Sequence, residues 1–251
     1  MDKVAGQIGN IVEWLREQVE KAGAKGLVVG VSGGIDSAVV SALIKKAFPD
    51  NSLGLIMPCH SNPQDAQDAL DVVRAAGLEH IKIDLGDAHD KILNAVREQL
   101  AGAESELNLK LSDANLRARL RMSTLYAVAN AKNYLVAGTD NAAEVYTGYF
   151  TKYGDGGVDI LPISQFLKRE VRALAQALGI PEHIIVKAPS AGLWSGQTDE
   201  AEMGVTYQDI DDYLSGKEVA GQAKAKIDKL HKFSEHKRAL PPAYERTDLS
   251  S

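Results

Sequence analysis

Apolar residues recur at helical spacing near the start of the chain, where Ile8, Ile11, Val12, Leu15 and Val19 predict an amphipathic helix over residues 3–22. The pattern then alternates between short apolar runs and helical periods. "GLVVGV" predicts a buried strand, 37–48 a helix, "SLGLIMP" a strand, 63–76 a helix, "HIKIDL" a strand and 88–101 a helix. After the polar turn "GAESELN", Ser112 is expected to cap a long helix ending near residue 132, and "NYLVAG" supplies a further strand. Strands alternating with helices in this way predict an α/β fold, a doubly wound parallel sheet flanked by helices.

Beyond that point the punctuation changes. "YFTKYGDGGVD" is rich in glycine and charge and reads as a loop before "ILPIS" and a helix near 165–178. "KAPSAGLWSGQTDEAE" has little apolar periodicity and reads as a second loop, and two long polar loops in a small domain suggest lids over a site. The last third is helical in pattern, with "YQDIDDYL" and "AKAKIDKLHKF". A length of 251 residues favours one domain, 1–251, with a sizeable core.

Composition narrows the partners. With 28 basic against 34 acidic residues, the net charge of −6 offers no global attraction to nucleic acid or anionic lipid, so an anionic ligand must be held locally. No apolar run approaches the roughly 18 residues of a membrane span, and "MDKVAGQIGN" lacks a secretion-signal profile, so a cytoplasmic protein is expected. The one cysteine, Cys59, excludes an internal disulfide and reads as a small residue closing the strand "LGLIMPC".

The candidate chemistry begins at "VVGVSGGIDSAVVSALI". A glycine-rich turn from a strand into a helix bares main-chain N–H groups at the positive end of the helix dipole, which suits phosphate. Ser32 and Ser37 add hydroxyls, and Gly33 and Gly34 allow close approach. Neither a lysine-bearing P-loop nor a dinucleotide GxGxxG fits, because Ile35 and Asp36 stand where the lysine motif should be and Ser32 replaces the second glycine. "GVSGG" does satisfy the hydrolase elbow GxSxG, which would make Ser32 a nucleophile. Only one helix and one strand precede it, and no HGGG-like segment does.

"SGGIDS" resembles the loop of the ATP pyrophosphatase family, which cleaves ATP between its α and β phosphates. A carboxylate beside polyphosphate is repulsive alone and becomes a ligand once Mg²⁺ lies between them, which accounts for Asp36. "NLRARLRM", "LVAGTDNAAEVYTGYFTKYGDGGVDILPI", "FLKREVRALAQALGIP" and "SEHKR" resemble, in order and spacing, the ammonia-dependent NAD⁺ synthetases over most of residues 25–240. The resemblance implies an adenine nucleotide alpha hydrolase-like, Rossmann-like fold. It implies that Gly30, Val31, Ser32, Gly33, Gly34, Ile35, Asp36 and Ser37 line the ATP phosphates, with Asp36 and Glu144 on magnesium. Thr139, Lys168 and Ser190 match ATP-contact positions, Ser190 standing where threonine is frequent. Arg119, Lys152, Asp159, His236 and Lys237 match positions that hold deamido-NAD⁺, nicotinic acid adenine dinucleotide. A homodimer sharing the dinucleotide site is also implied.

The residues themselves agree with several of these roles. Glu144 follows Thr139 by five positions just past "LVAG", so a strand's end can bring hydroxyl and carboxylate to the crevice where open α/β sheets bind ligands. Arg117, Arg119 and Arg121 alternate on one predicted helix, so at most one or two can face an anionic ligand. The expected reaction transfers AMP from ATP to the nicotinate carboxylate, releases pyrophosphate, and lets ammonia displace AMP to give NAD⁺. Asp36 and Lys168 are the expected catalytic residues, with Asp159 a candidate for taking a proton from ammonium. Glutamine-dependent relatives add an amidase domain with a cysteine nucleophile, for which this chain has neither room nor a cysteine in such a setting, so free ammonia is the expected nitrogen source. The rivals are another adenylating enzyme of the same fold and an adenine-nucleotide sensor without turnover.

Overall fold

The computed structural model describes residues 2–100, 105–190 and 198–244. In chain order the elements are α1 (Asp2–Lys21), β1 (Gly26–Gly30), α2 (Ile35–Ala47), β2 (Ser52–Ile56), α3 (Pro63–Ala76), β3 (His80–Lys82), α4 (Gly86–Leu100) and α5 (Glu106–Lys132). Then follow β4 (Tyr134–Ala137), α6 (Ala142–Thr147), α7 (Lys168–Ala177), α8 (Glu182–Ile185), α9 (Asp199–Met203), α10 (Tyr207–Leu214), α11 (Gly221–Phe233) and a 3₁₀ turn, Glu235–Lys237. The sheet is parallel throughout, in the order β3-β2-β1-β4, with β1 and β2 inside it. The doubly wound arrangement is therefore as the alternation predicts.

The sheet is covered on both faces at β1, β2 and β4, which is why these strands read as apolar runs, whereas the edge strand β3 is exposed at all three positions. Leu27, Val29 and Val31 point to one side, onto α1, α2, α3 and α7 through Leu15, Val39, Leu43, Val72 and Val171. Val28, Leu55 and Val136 point to the other, onto Leu125 and Ala129 of α5. A third cluster joins α6, α10 and α11 through Ala143, Tyr207, Ile210 and Ile227. Cys59 is fully buried in the cluster on the α5 side of the sheet, its thiol pushed up in pKa by burial, as expected of a packing residue. No helix among the described residues is long and apolar enough to cross a membrane.

The long helix begins earlier than expected. Its cap is Ser105, whose side chain accepts from the Asn108 N–H at 3.2 Å, and Ser112 lies inside it. The early turns escape an apolar-period reading because Leu107 and Leu111 are exposed, so no buried stripe marks the start. The helix expected near 165–178 begins only at Lys168, and the run "HIKIDL" pairs as a strand for three residues. The short helices α6, α8 and α9 leave no periodic signal in the sequence, since four to six residues hold less than two turns. Most of the second predicted loop, 191–197, lies outside the described residues.

Candidate active site

The glycine turn sits at the carboxyl edge of β1, the edge at which open parallel sheets bind ligands. Its shape is set by the residues beneath it. Gly33 has φ +83°, and a Cβ there would lie 2.8 Å from the Asp65 carbonyl oxygen and from Asp68 Cβ, so α3 closes the space under the turn. The two serines brace it. Ser32 N donates to Ser37 Oγ at 3.2 Å, the two hydroxyls are 3.1 Å apart, Gly34 N donates to Ser32 Oγ, and Ser37 Oγ donates to the Gly34 carbonyl. No side chain caps α2 at Gly34, which leaves first-turn N–H groups for an incoming anion. Among the described residues Ser32 Oγ has Ser37 Oγ and the Gly34 amide as its partners and no imidazole, so the hydrolase-elbow reading finds no histidine base there.

Opposite the turn lies Lys168, 1% exposed at the first position of α7. Its Nζ is 2.5 Å from Asp36 Oδ2, 3.5 Å from Glu144 Oε1 and 4.5 Å from the centre of the Tyr207 ring. The helix is aimed by Asp211 of α10, whose carboxylate accepts from the Lys168 and Arg169 N–H groups at 3.0 and 2.9 Å in place of an N-cap side chain. Asn141 ties the acids together. Its side chain donates to Asp36 Oδ1 at 3.0 Å and accepts from Glu144 N, while its own N–H donates to Glu144 Oε2. Tyr207 completes the group by donating to Glu144 Oε1 at 2.8 Å.

The electrostatics follow from this burial. Desolvation pushes the Glu144 carboxyl up to about 7, opposed by Lys168 and reinforced by Asp36. Desolvation also raises Asp140 well above the usual carboxylate range. Burial alone would lower the Lys168 ammonium, but Asp36 and Glu144 hold it above its ordinary value. Burial and mutual repulsion thus push Glu144 and Asp140 toward the neutral form, while Asp36 and Lys168 form the close ion pair.

A cavity of about 490 Å³ opens in front of these groups. Among the sequence-predicted residues, Gly30, Val31, Ser32, Gly34, Ile35, Asp36, Ser37, Thr139, Glu144, Lys168, Ser190 and Lys237 line it. Gly33 lies behind the turn. Arg119, Lys152, Asp159 and His236 do not line the cavity. Three of them form a chain on the surface, Arg119 donating to the Lys152 carbonyl at 3.4 Å and Lys152 Nζ to the His236 carbonyl. Asp159 accepts from the Tyr126 hydroxyl at 2.9 Å and from Val136 N at 2.8 Å. Lys237 Nζ donates to the Gly148 and Phe150 carbonyls.

Several site residues escaped the sequence reading. Asn141 had a usable signal, because N-x-x-E before an apolar position is a capping-box spacing, and the box is formed. Tyr207, Asp140 and Asp211 carried none. Lys187, which lines the cavity while paired with Asp65 at 2.9 Å and Asp68 at 2.5 Å, stands at the edge of a loop with no local motif to mark it.

A turn that bares main-chain amides at a helix start, opposite a buried ammonium, is chemistry for polyphosphate, and the class is that of α/β nucleotide-binding proteins. The NAD synthase family model matches residues 7–241, and the chain belongs to that family. It is 57% identical over 242 residues to the NH(3)-dependent NAD(+) synthetase of Alkaliphilus oremlandii, across 94% of this chain and 95% of that one. Among solved structures it resembles the NMN synthetase from Francisella tularensis, with TM-score 0.90 and 42% identity over 97% of this chain and 99% of that one. It also resembles the NH3-dependent NAD synthetase from Campylobacter jejuni, with TM-score 0.76 and 30% identity over 96% of this chain and 99% of that one.

Proposed function

We propose that the chain amidates deamido-NAD⁺ with ammonia at the expense of ATP, giving NAD⁺, AMP and pyrophosphate. The observation that carries this reading is the buried ammonium of Lys168, held between Asp36 and Glu144 and facing the open glycine turn. A carboxylate resists ammonia at neutral pH because it is anionic and would have to expel oxide. A nicotinate carboxylate oxygen therefore attacks the α-phosphorus of ATP, and the bond from that phosphorus to the bridging oxygen breaks as pyrophosphate leaves. Ammonia attacks the resulting acyl adenylate at its acyl carbon, and the C–O bond to AMP breaks. The protein's work is positional and electrostatic, with no covalent enzyme nucleophile.

In this reading Gly30 to Ser37 hold the phosphates through main-chain N–H groups, with Thr139, Lys168 and Ser190 on ATP. Support comes from the uncapped start of α2 and from the common cavity these residues line. Asp36 and Glu144 are the residues that would hold Mg²⁺. The fit rests on their oxygen donors and on the crowding of carboxyls that raises Glu144, which a hard divalent cation would relieve. When bound, the ion neutralises charge on the departing pyrophosphate.

Arg119, Lys152, Asp159, His236 and Lys237 are assigned to the dinucleotide, four of them on the surface beside the cavity mouth. A second copy of the chain shares that site. Asp159 already accepts two hydrogen bonds and lies outside the cavity, which supports orientation of the substrate over proton transfer. Residues 1–251 act as one catalytic unit, assigned to the cytoplasm, where ATP and the dinucleotide are found.

A second reading comes from the Francisella relative, whose name makes NMN its product. The nicotinate mononucleotide would then replace the dinucleotide. Incubation with ATP, Mg²⁺, ammonium and either nucleotide separates the two. AMP and pyrophosphate formed with deamido-NAD⁺ support the first reading, and formation with the mononucleotide alone supports the second. ATP binding without product from either would leave a sensor.

A further inference from the structure

The geometry points to a second, separate metal site: we infer that His60, His89 and Asp90 bind a divalent transition metal ion of borderline softness, with zinc the best match to the donors. His60 lies in the loop after β2, and His89 and Asp90 lie in the first turns of α4. One ligand atom from each falls within 4.8 Å of the other two, and this is the one such group of three among the described residues. His60 Nε2 is 2.7 Å and His89 Nδ1 is 3.2 Å from the same oxygen, Asp90 Oδ1.

The outer shell is built as well. His89 is 2% exposed, and its Nε2 is 3.0 Å from Asp113 Oδ1. Asp113 is itself clamped by Arg117 through two bonds, at 2.7 and 3.0 Å. A neutral imidazole carries a single N–H. With that proton on Nε2 and given to Asp113, Nδ1 presents its lone pair toward Asp90, where two acceptors meet at 3.2 Å. A cation between them converts that repulsion into coordination, and a carboxylate on the far nitrogen is the usual orienting partner of a metal-bound histidine. His60 and Asp90, with side chains 42% and 52% exposed, leave a path for entry and room for water to complete the sphere.

Two imidazoles and a carboxylate select against Mg²⁺, which prefers oxygen, so this site and the Asp36–Glu144 pair take different ions. The role is structural. The ion would pin the loop carrying His60 to α4, and the same loop supplies Met57 and Ser61 to the cavity wall, both held by Arg121 at 3.1 and 3.0 Å.

The test uses the full chain, stripped with chelator and titrated with Zn²⁺ calorimetrically in excess Mg²⁺, with Co²⁺ absorption to report nitrogen ligation. One equivalent should bind and raise the thermal midpoint. His60→Ala and Asp90→Asn, both at exposed positions, should each weaken binding by about tenfold or more, since losing even an outer-shell partner costs on that order. Asp36→Asn should leave the equivalent intact. Absence of binding in the folded wild type would leave the three side chains a hydrogen-bonded cluster only, and the inference would fail. It would fail equally if the His60→Ala/Asp90→Asn double variant kept the wild-type equivalent.

Discussion

An aspartate in the first turn of a helix is ordinarily a small favourable charge on the dipole, but Asp36 is held by groups remote in sequence. Lys168 lies 132 residues away and Asn141 105, and both reach its carboxylate. Glu144 is the more strained partner. Its carboxyl ordinarily titrates at 4.5 and is pushed up to about 7 by burial, so the folded chain binds a proton more tightly than the unfolded one. That contribution to stability is complete below 4.5 and is lost as pH rises through about 7. The free wild-type protein should therefore lose stability relative to Glu144→Gln over this window in thermal melts without Mg²⁺. Parallel melting profiles would show that the carboxyl is not raised. Asp36 was legible as a candidate because its hexapeptide is local, whereas the environment that raises Glu144 depends on chain segments that no window contains.

At the scale of elements, α7 matters because its first residue is Lys168. The helix has Leu167 before it, which offers no capping oxygen, and Asp211 of α10 supplies both acceptors from a position 1% exposed. Asp211→Ala should cost about 2–3 kcal/mol in denaturant unfolding, the range for losing hydrogen bonds to a buried charged group. It should also raise KM for ATP by loosening Lys168. Unchanged stability would show that α7 does not depend on this cap. The main strands and long helices were readable from periodicity, but the start of α7 was placed three residues early. The physical reason is that its N-terminus is satisfied from another element, and so it leaves no Ser, Thr, Asp or Asn at the boundary.

For the whole molecule, the exposed apolar residues of α4 and α5 are the face we propose for the second copy. Ile92, Val96 and Leu100 repeat every four residues along α4, and Leu107 and Leu111 do so on α5, all of them exposed. Leu111 also lines the cavity, so covering this face would help to close the site. Val96→Glu should shift the sedimenting species from dimer to monomer and lower activity, because a charge would be buried at the contact. A wild-type chain that sediments as a monomer at assay concentration would remove the shared-site proposal.

The sequence by itself determined the alternating α/β order, the phosphate-type turn with Asp36 at the helix start, and the family, because each is written in residues close together. Only the tertiary structure decided that Lys168, Asn141 and Tyr207 converge on Asp36 and Glu144, and that four of the proposed dinucleotide residues stand outside the cavity. Those outcomes depend on how helices and loops distant in the chain pack around one sheet edge. Burial, which sets the charge of Glu144, exists only after that packing.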